Sequence, residues 1–320
     1  MKRLFVWTLV MSFIVLCSSA ALAGDENTSA NVPKLLRITK YEMKAGHSME
    51  YASLVKQVRE RIGDADYHWI AASPMTGPGD RMNLIGFYDS YAQIEQTMGV
   101  AMKAMAPLMQ SVDFQRGVAD AVVGTNAMIA KYREDLSYHP EKFDVANATC
   151  WDITMFKLKP GTGMDFAEMQ RESIDLHKRA NIDEYWAAYE VEYGSSNPTI
   201  IYVTPMKSLA ELDKDASAAH KKAFNESVRR RFAQAAKDDM LSVENTVLMV
   251  RPELSRPSQT IMAANPDFWT IKEQPTAVAI GRRFDGTSGM PDNHMRPGNN
   301  CSRRIRHHAS NLPREARLGI

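Results

Sequence analysis

Few side chains in this sequence have both the type and the setting for chemistry. His177 is the first of them, because an imidazole titrates near neutral pH and can ligate a haem iron. Ser173 lies one helical turn before it, so the two polar groups share a face. His68, beside Trp69, is a second histidine of the same kind. For both, the plainer reading is a hydrogen-bonded or exposed imidazole. Met98, Met102, Met105 and Met109 recur at helical spacing and offer soft thioethers of the kind that hold Cu(I). Without a neighbouring Cys or His, that stripe reads as flexible core packing instead. No phosphate loop, zinc spacing or Gly-x-Ser-x-Gly elbow is present, so no metal centre is expected from motif.

Two further groups are placed by strand periodicity. Arg37, Thr39 and Tyr41 alternate along one run, and Asp152, Thr154 and Phe156 along another. Aromatic residues concentrate at Tyr67, Trp69, Tyr185, Trp186, Tyr189, Tyr193 and Tyr202. They would either fill a core or line a cleft for a flat organic ligand.

The elements that must position these residues come in two copies. Ile38 to Gly46, followed by Met49-Glu50-Tyr51-Ala52, is answered 115 residues later by Ile153 to Gly161 and Met164-Asp165-Phe166-Ala167. Trp186 answers Trp69 at 117, and Ser208-Leu209-Ala210 answers Ser90-Tyr91-Ala92 at 118. Arg251 likewise answers Arg133 at 118. Ordered self-similarity of this kind marks a repeated structural unit. In each copy a period-two run, a Gly turn, an amphipathic helix, two strand-like runs, a second helix and a last strand follow in order, a β-α-β-β-α-β plan. At the repeat offset His177 replaces Ile62 and Ser173 replaces Val58, so polarity has entered one copy only. The second helix of copy two, from Leu209 to Phe232, reads as continuous, where copy one is interrupted at Pro107.

Lys2 and Arg3, an apolar run from Leu4 to Leu16 and the small-residue exit Ala21-Leu22-Ala23 read as a cleavable signal peptide over residues 1–23. That predicts a periplasmic or secreted protein with no stable membrane insertion after cleavage. Of three cysteines only Cys150 and Cys301 lie beyond that segment, too few for a disulfide framework. Residues 24–280 carry 29 basic against 35 acidic residues, which argues against nucleic acid as a partner. Residues 24–34 and 141–148 read as linkers around repeats at 35–140 and 149–257. The extension 258–320 has no lysine after Lys272, is dense in Gly, Pro, Asn and Arg, and is expected to be largely disordered.

The two β-α-β-β-α-β units, each with its short strand, Gly turn and amphipathic helix, resemble tandem antibiotic-biosynthesis-monooxygenase-like (ABM) proteins of the dimeric α/β-barrel superfamily, built from ferredoxin-like units. The resemblance covers residues 35–257. It implies an α+β fold in which two four-stranded sheets close one barrel from a single chain, an intramolecular pseudo-dimer, with further homo-oligomers left open. It also implies functions ranging from ligand binding to cofactor-free monooxygenases and haem enzymes. If the helices cover one face of each sheet, Arg37, Tyr41, Trp69, Asp152, Tyr185, Trp186 and Tyr202 line the space between sheets and form the candidate ligand site, with Arg37 and Asp152 a candidate ion pair across the pseudo-twofold. The reading reached is an exported protein that binds a small aromatic or apolar molecule there. The alternative is a monooxygenase or a haem-dependent oxidoreductase with His177 or His68 as the catalytic candidate; no cofactor is assured.

Overall fold

The computed structural model describes residues 32–214 and 216–270. The expected signal peptide, most of the first linker and the extension beyond residue 270 lie outside the described residues. Among the described residues no helix is long and apolar enough to cross a membrane.

The first half of the chain runs β1 (Leu35–Met43), α1 (Ser48–Ile62), β2 (Ile70–Pro74), β3 (Arg81–Tyr88), α2 (Tyr91–Met109), α3 (Val112–Ala121) and β4 (Val122–Tyr132). The second runs β5 (Cys150–Leu158), α4 (Gly163–Ala180), β6 (Ala187–Tyr193), β7 (Thr199–Met206), α5 (Ser217–Ala223), α6 (Glu226–Asp239) and β8 (Met240–Val250), followed by α7 (Gln259–Ala264) and α8 (Pro266–Trp269). All eight strands close into one barrel in the order β1-β3-β2-β8-β5-β7-β6-β4, every neighbouring pair antiparallel. Each half therefore contributes four adjacent strands. The two seams are β2 with β8, where Ala72 faces Val250, and β4 with β6, where Ala130 faces Val191.

Both faces of the strands are covered, one by the opposite barrel wall and one by helices. Leu36, Ile38, Ile85, Met128, Trp151, Met155, Tyr189, Ile201 and Leu248 belong to one buried cluster drawn from the strands and fill the barrel. Their neighbours in sequence point outward. Tyr41 packs on Tyr51 of α1 at 5.4 Å, and Phe156 on Phe166 of α4 at 5.2 Å. This inverts the expected assignment of faces: Arg37, Thr39 and Tyr41, with Asp152, Thr154 and Phe156, look toward the helices, and the apolar set between them lines the interior. Because β1 and β5 stand on opposite sides of the barrel, outward-facing Arg37 and Asp152 cannot pair. Arg37 instead donates to Thr39 Oγ1 at 3.0 Å.

Two local expectations also change. Pro107 lies within α2, two residues from its end, and does not break it. The corresponding region of the second half is divided, into a 3-10 turn at Leu209–Asp213 and then α5 and α6, because Asn225 caps α6 by accepting from the Val228 N–H at 3.1 Å. The methionine stripe is divided: Met98 and Met105 pack, half-buried, against core clusters, while Met102 and Met109 are exposed.

Candidate metal and ligand cleft of the second half

α4 ends where Asn181 turns left-handed (φ 49°, ψ 49°), a conformation Asn tolerates at helix ends. The Ile182 N–H then returns to the His177 carbonyl at 3.1 Å, and the buried Ile182 side chain anchors the reversal. This brings Glu184 back beside His177 in the last turn of α4. From the other side α5 packs on α4 and presents His220.

The three groups meet. His177 Nε2 and His220 Nε2 are 3.3 Å apart, and each lies 3.5 Å from Glu184 Oε2. Both imidazoles are buried, His177 at 1 % and His220 at 6 % exposure. Each Nδ1 donates to the carbonyl four residues earlier, His177 to Ser173 at 2.7 Å and His220 to Ala216 at 3.1 Å. A carbonyl only accepts, so the ring hydrogen is fixed on Nδ1 and the neutral form turns its Nε2 lone pair toward the cluster. Burial alone would raise the Glu184 carboxyl; when the imidazoles are protonated, their hydrogen bonds and charge outweigh it and hold the group at about 2. The surrounding wall is aromatic, with Tyr138, Trp186 and Phe224 rings at 5.4, 5.3 and 5.3 Å from the His177 ring.

His177 and Glu184 line a cleft of about 150 Å³ between the outer face of β5 and β7 and the helices. Trp186 and Tyr202 stack in its wall, 5.3 Å apart and 14° from parallel. Tyr202 donates to Gln170 Oε1 at 2.8 Å, and Trp186 Nε1 donates to the Leu136 carbonyl at 2.8 Å. Tyr185 donates to the Pro205 carbonyl and, at 3.2 Å, to Glu211; burial and then the Glu211 charge push its phenol above the usual range. Asp152 completes the expected residues found here.

Of the seven expected ligand residues, the fold thus gathers Asp152, Tyr185, Trp186 and Tyr202, outside the barrel instead of between its sheets. Arg37, Tyr41 and Trp69 belong to the first half; Trp69 is buried core, its Nε1 donating to the Leu254 carbonyl at 2.8 Å. His68 is half-buried, paired with Asp66 at 2.9 Å, and borders neither this cleft nor the cavity between the sheets. Between the sheets there remains a cavity of about 80 Å³ at one end of the barrel, bordered by Lys40, Arg81, Trp151, Met155 and Glu244. Glu184 and His220 are absent from the sequence-based set. At the offset of 117 that pairs Trp186 with Trp69, Glu184 aligns with Tyr67, and that exchange of an aromatic for a carboxylate was the available signal.

Haem does not fit these residues. A cleft of about 150 Å³ is the size that takes one benzene ring, and His177 Nε2 already faces His220 and Glu184.

No family model matches the chain, and no curated protein matches it. Solved structures similar to it include a candidate monooxygenase from Fusobacterium nucleatum subsp. nucleatum (13 % identity, 69 % of this chain and 93 % of that one, TM-score 0.40). Also similar are an anthrone oxidase-like protein (10 %, 69 % and 93 %, TM-score 0.42) and chlorite dismutase from Candidatus Nitrospira defluvii in complex with imidazole (9 %, 75 % and 99 %, TM-score 0.41). Likeness at this level assigns no activity, and the fold is read from the strand order itself.

Proposed function

We propose that this is an exported tandem ABM-like protein, with ferredoxin-like repeats at 35–140 and 149–257, whose working site is the cleft of the second repeat. It binds a small molecule of about single-ring size, laid against the Trp186 and Tyr202 stack with a polar group toward His177 and Glu184. One observation carries this: two buried imidazoles and a half-buried carboxylate meet beside an aromatic wall, in the copy where His177 takes the place of Ile62. Burying such groups is costly even when they are paired, and folds retain that cost chiefly at working sites.

The oxygenase alternative is served by the same cleft, because an imidazole next to a carboxylate can take a proton from a phenol or enol. It would operate without haem. His68 has no part in either reading.

Titrating single-ring phenols and benzoates while following tryptophan fluorescence and heat tests the assignment. Binding that weakens in Trp186→Phe and Tyr202→Ala, and persists when Met155→Trp fills the end of the barrel, supports it. Binding that Met155→Trp abolishes and Trp186→Phe leaves intact would return the site to the interior. Export is tested by fractionation and by a mature N-terminus at Gly24.

A further inference from the structure

The arrangement of His177, His220 and Glu184 calls for a cation. With the ring hydrogens of both imidazoles committed to the Ser173 and Ala216 carbonyls, two Nε2 lone pairs and a carboxylate oxygen converge with no hydrogen between them. Two acceptors held 3.3 Å apart in a buried site repel, so something positive must sit there: a proton shared by the imidazoles or a metal ion.

Distances favour the metal. Bonds of roughly 2.0–2.2 Å to nitrogen and oxygen give tetrahedral edges of roughly 3.3–3.6 Å, and octahedral edges of only roughly 2.8–3.1 Å. The observed triangle, 3.3, 3.5 and 3.5 Å, is a tetrahedral face. The outer contacts agree, because a metal-bound histidine characteristically donates its second nitrogen's hydrogen to a carbonyl or carboxylate, which fixes the tautomer. The set is also complete in number: two imidazoles and one carboxylate are a common three-ligand donor set for an ion that keeps one position for water or substrate.

We infer that His177 Nε2, His220 Nε2 and Glu184 Oε2 hold one divalent ion of the zinc class in tetrahedral coordination. His177 and Glu184 both border the cleft, so the fourth position has access to it. The inference deepens the reading of that cleft as the working site: its ligand would approach an ion and not a bare pair of bases. Neither the spacing of the three residues nor a motif discloses it, since they come from α4, the loop after it and α5.

The test uses the full chain, stripped with chelator and titrated with Zn²⁺ and, separately, Co²⁺. The expected result is one site-specific ion per chain, with the visible absorption of four-coordinate Co²⁺. His177→Ala, His220→Ala and Glu184→Ala should each weaken it by more than the roughly 10–100-fold that losing an outer-shell partner causes. His307 and His308 of the tail are present in wild type and variants alike, so the difference between them reads this site. Circular dichroism guards against misfolding, and Glu184→Gln keeps the shape if a smaller side chain does not. Folded protein that binds neither ion near neutral pH, or binding unchanged in His177→Ala/His220→Ala, would overturn the inference. Wild-type protein separates the two proposals: if it binds the ion but no ring compound, only the ligand assignment is refuted, and if it binds ring compounds but no ion, only the metal site is.

Discussion

His177 and His220 present their Nε2 atoms to each other at 3.3 Å although each ring has already given its hydrogen to a carbonyl four residues back. A core built only for stability would not contain this pair, and the first half places Ile62 where the second has His177. Replacing all three polar groups with apolar ones should therefore stabilise the metal-free protein. His177→Leu/His220→Leu/Glu184→Leu is expected to gain about 1–4 kcal/mol, as buried charged clusters do when exchanged for hydrocarbon. Calorimetry in chelator reads this. A triple variant that melts below wild type there would mean that the cluster contributes to stability even without a cation.

The Tyr202 hydroxyl and Gln170 form an isolated buried pair at 2.8 Å, each residue 6 % exposed. Tyr202→Phe removes the donor and leaves the Gln170 oxygen without one. The expected cost is about 1–3 kcal/mol in urea denaturation, the penalty of an unsatisfied buried acceptor. Tyr202→Phe/Gln170→Leu should recover most of it, because both partners then become apolar. If the double variant is as unstable as the sum of two single losses, the pair is not acting as a unit.

How much of this was legible in the sequence follows from which forces are local. The bounds of β1 and β5 can be read from alternation and the Gly turns after them. The repeat offset supplies the correspondence of the halves. Alternation cannot say which face is inside when both faces are covered, since Leu36 and Thr39 end up equally hidden, one in the barrel and one under a helix. The site was legible only at His177 and in its aromatic wall. His220 comes from a region where periodicity suggested one unbroken helix, and the break between Leu209 and Asn225 is a matter of capping chemistry that periodicity does not register.

Acid should unfold the protein partly through Asp135. Arg133 grips both its oxygens, at 2.8 and 2.9 Å, and Arg171 of α4 reaches it at 3.3 Å, joining the two halves. The hydrogen bond from Arg133 first, against opposing burial, holds the carboxyl below its ordinary range. A depressed carboxyl contributes stability that is fully present above its unfolded value, near ~3.9, and disappears as pH falls through the folded one. The groups are largely solvated, so Asp135→Asn should cost only about 0.5 kcal/mol at pH 7. The melting-temperature gap between variant and wild type should close as pH falls through and below the ordinary carboxylate range. A gap independent of pH would place the effect in packing instead of charge.

The halves are latched to each other by the same device used twice. After β4, Ser137 Oγ accepts from the Ala188 N–H at 2.9 Å and donates to the Arg133 carbonyl at 2.7 Å. After β8, Ser255 Oγ accepts from the Ala71 N–H at 2.9 Å and donates to the Arg251 carbonyl at 2.8 Å. Trp186 and Trp69 close the same corners on the Leu136 and Leu254 carbonyls, each at 2.8 Å. In both cases the hydroxyl satisfies a buried strand N–H of the opposite half, so its loss leaves that donor bare. Ser137→Ala and Ser255→Ala should each cost about 1–3 kcal/mol, by nearly the same amount, and the double variant should lose the sum because the latches stand on opposite sides of the barrel. Chemical denaturation measures all three. Unequal single losses would show that the pseudo-twofold is geometric only, with one corner holding the barrel shut.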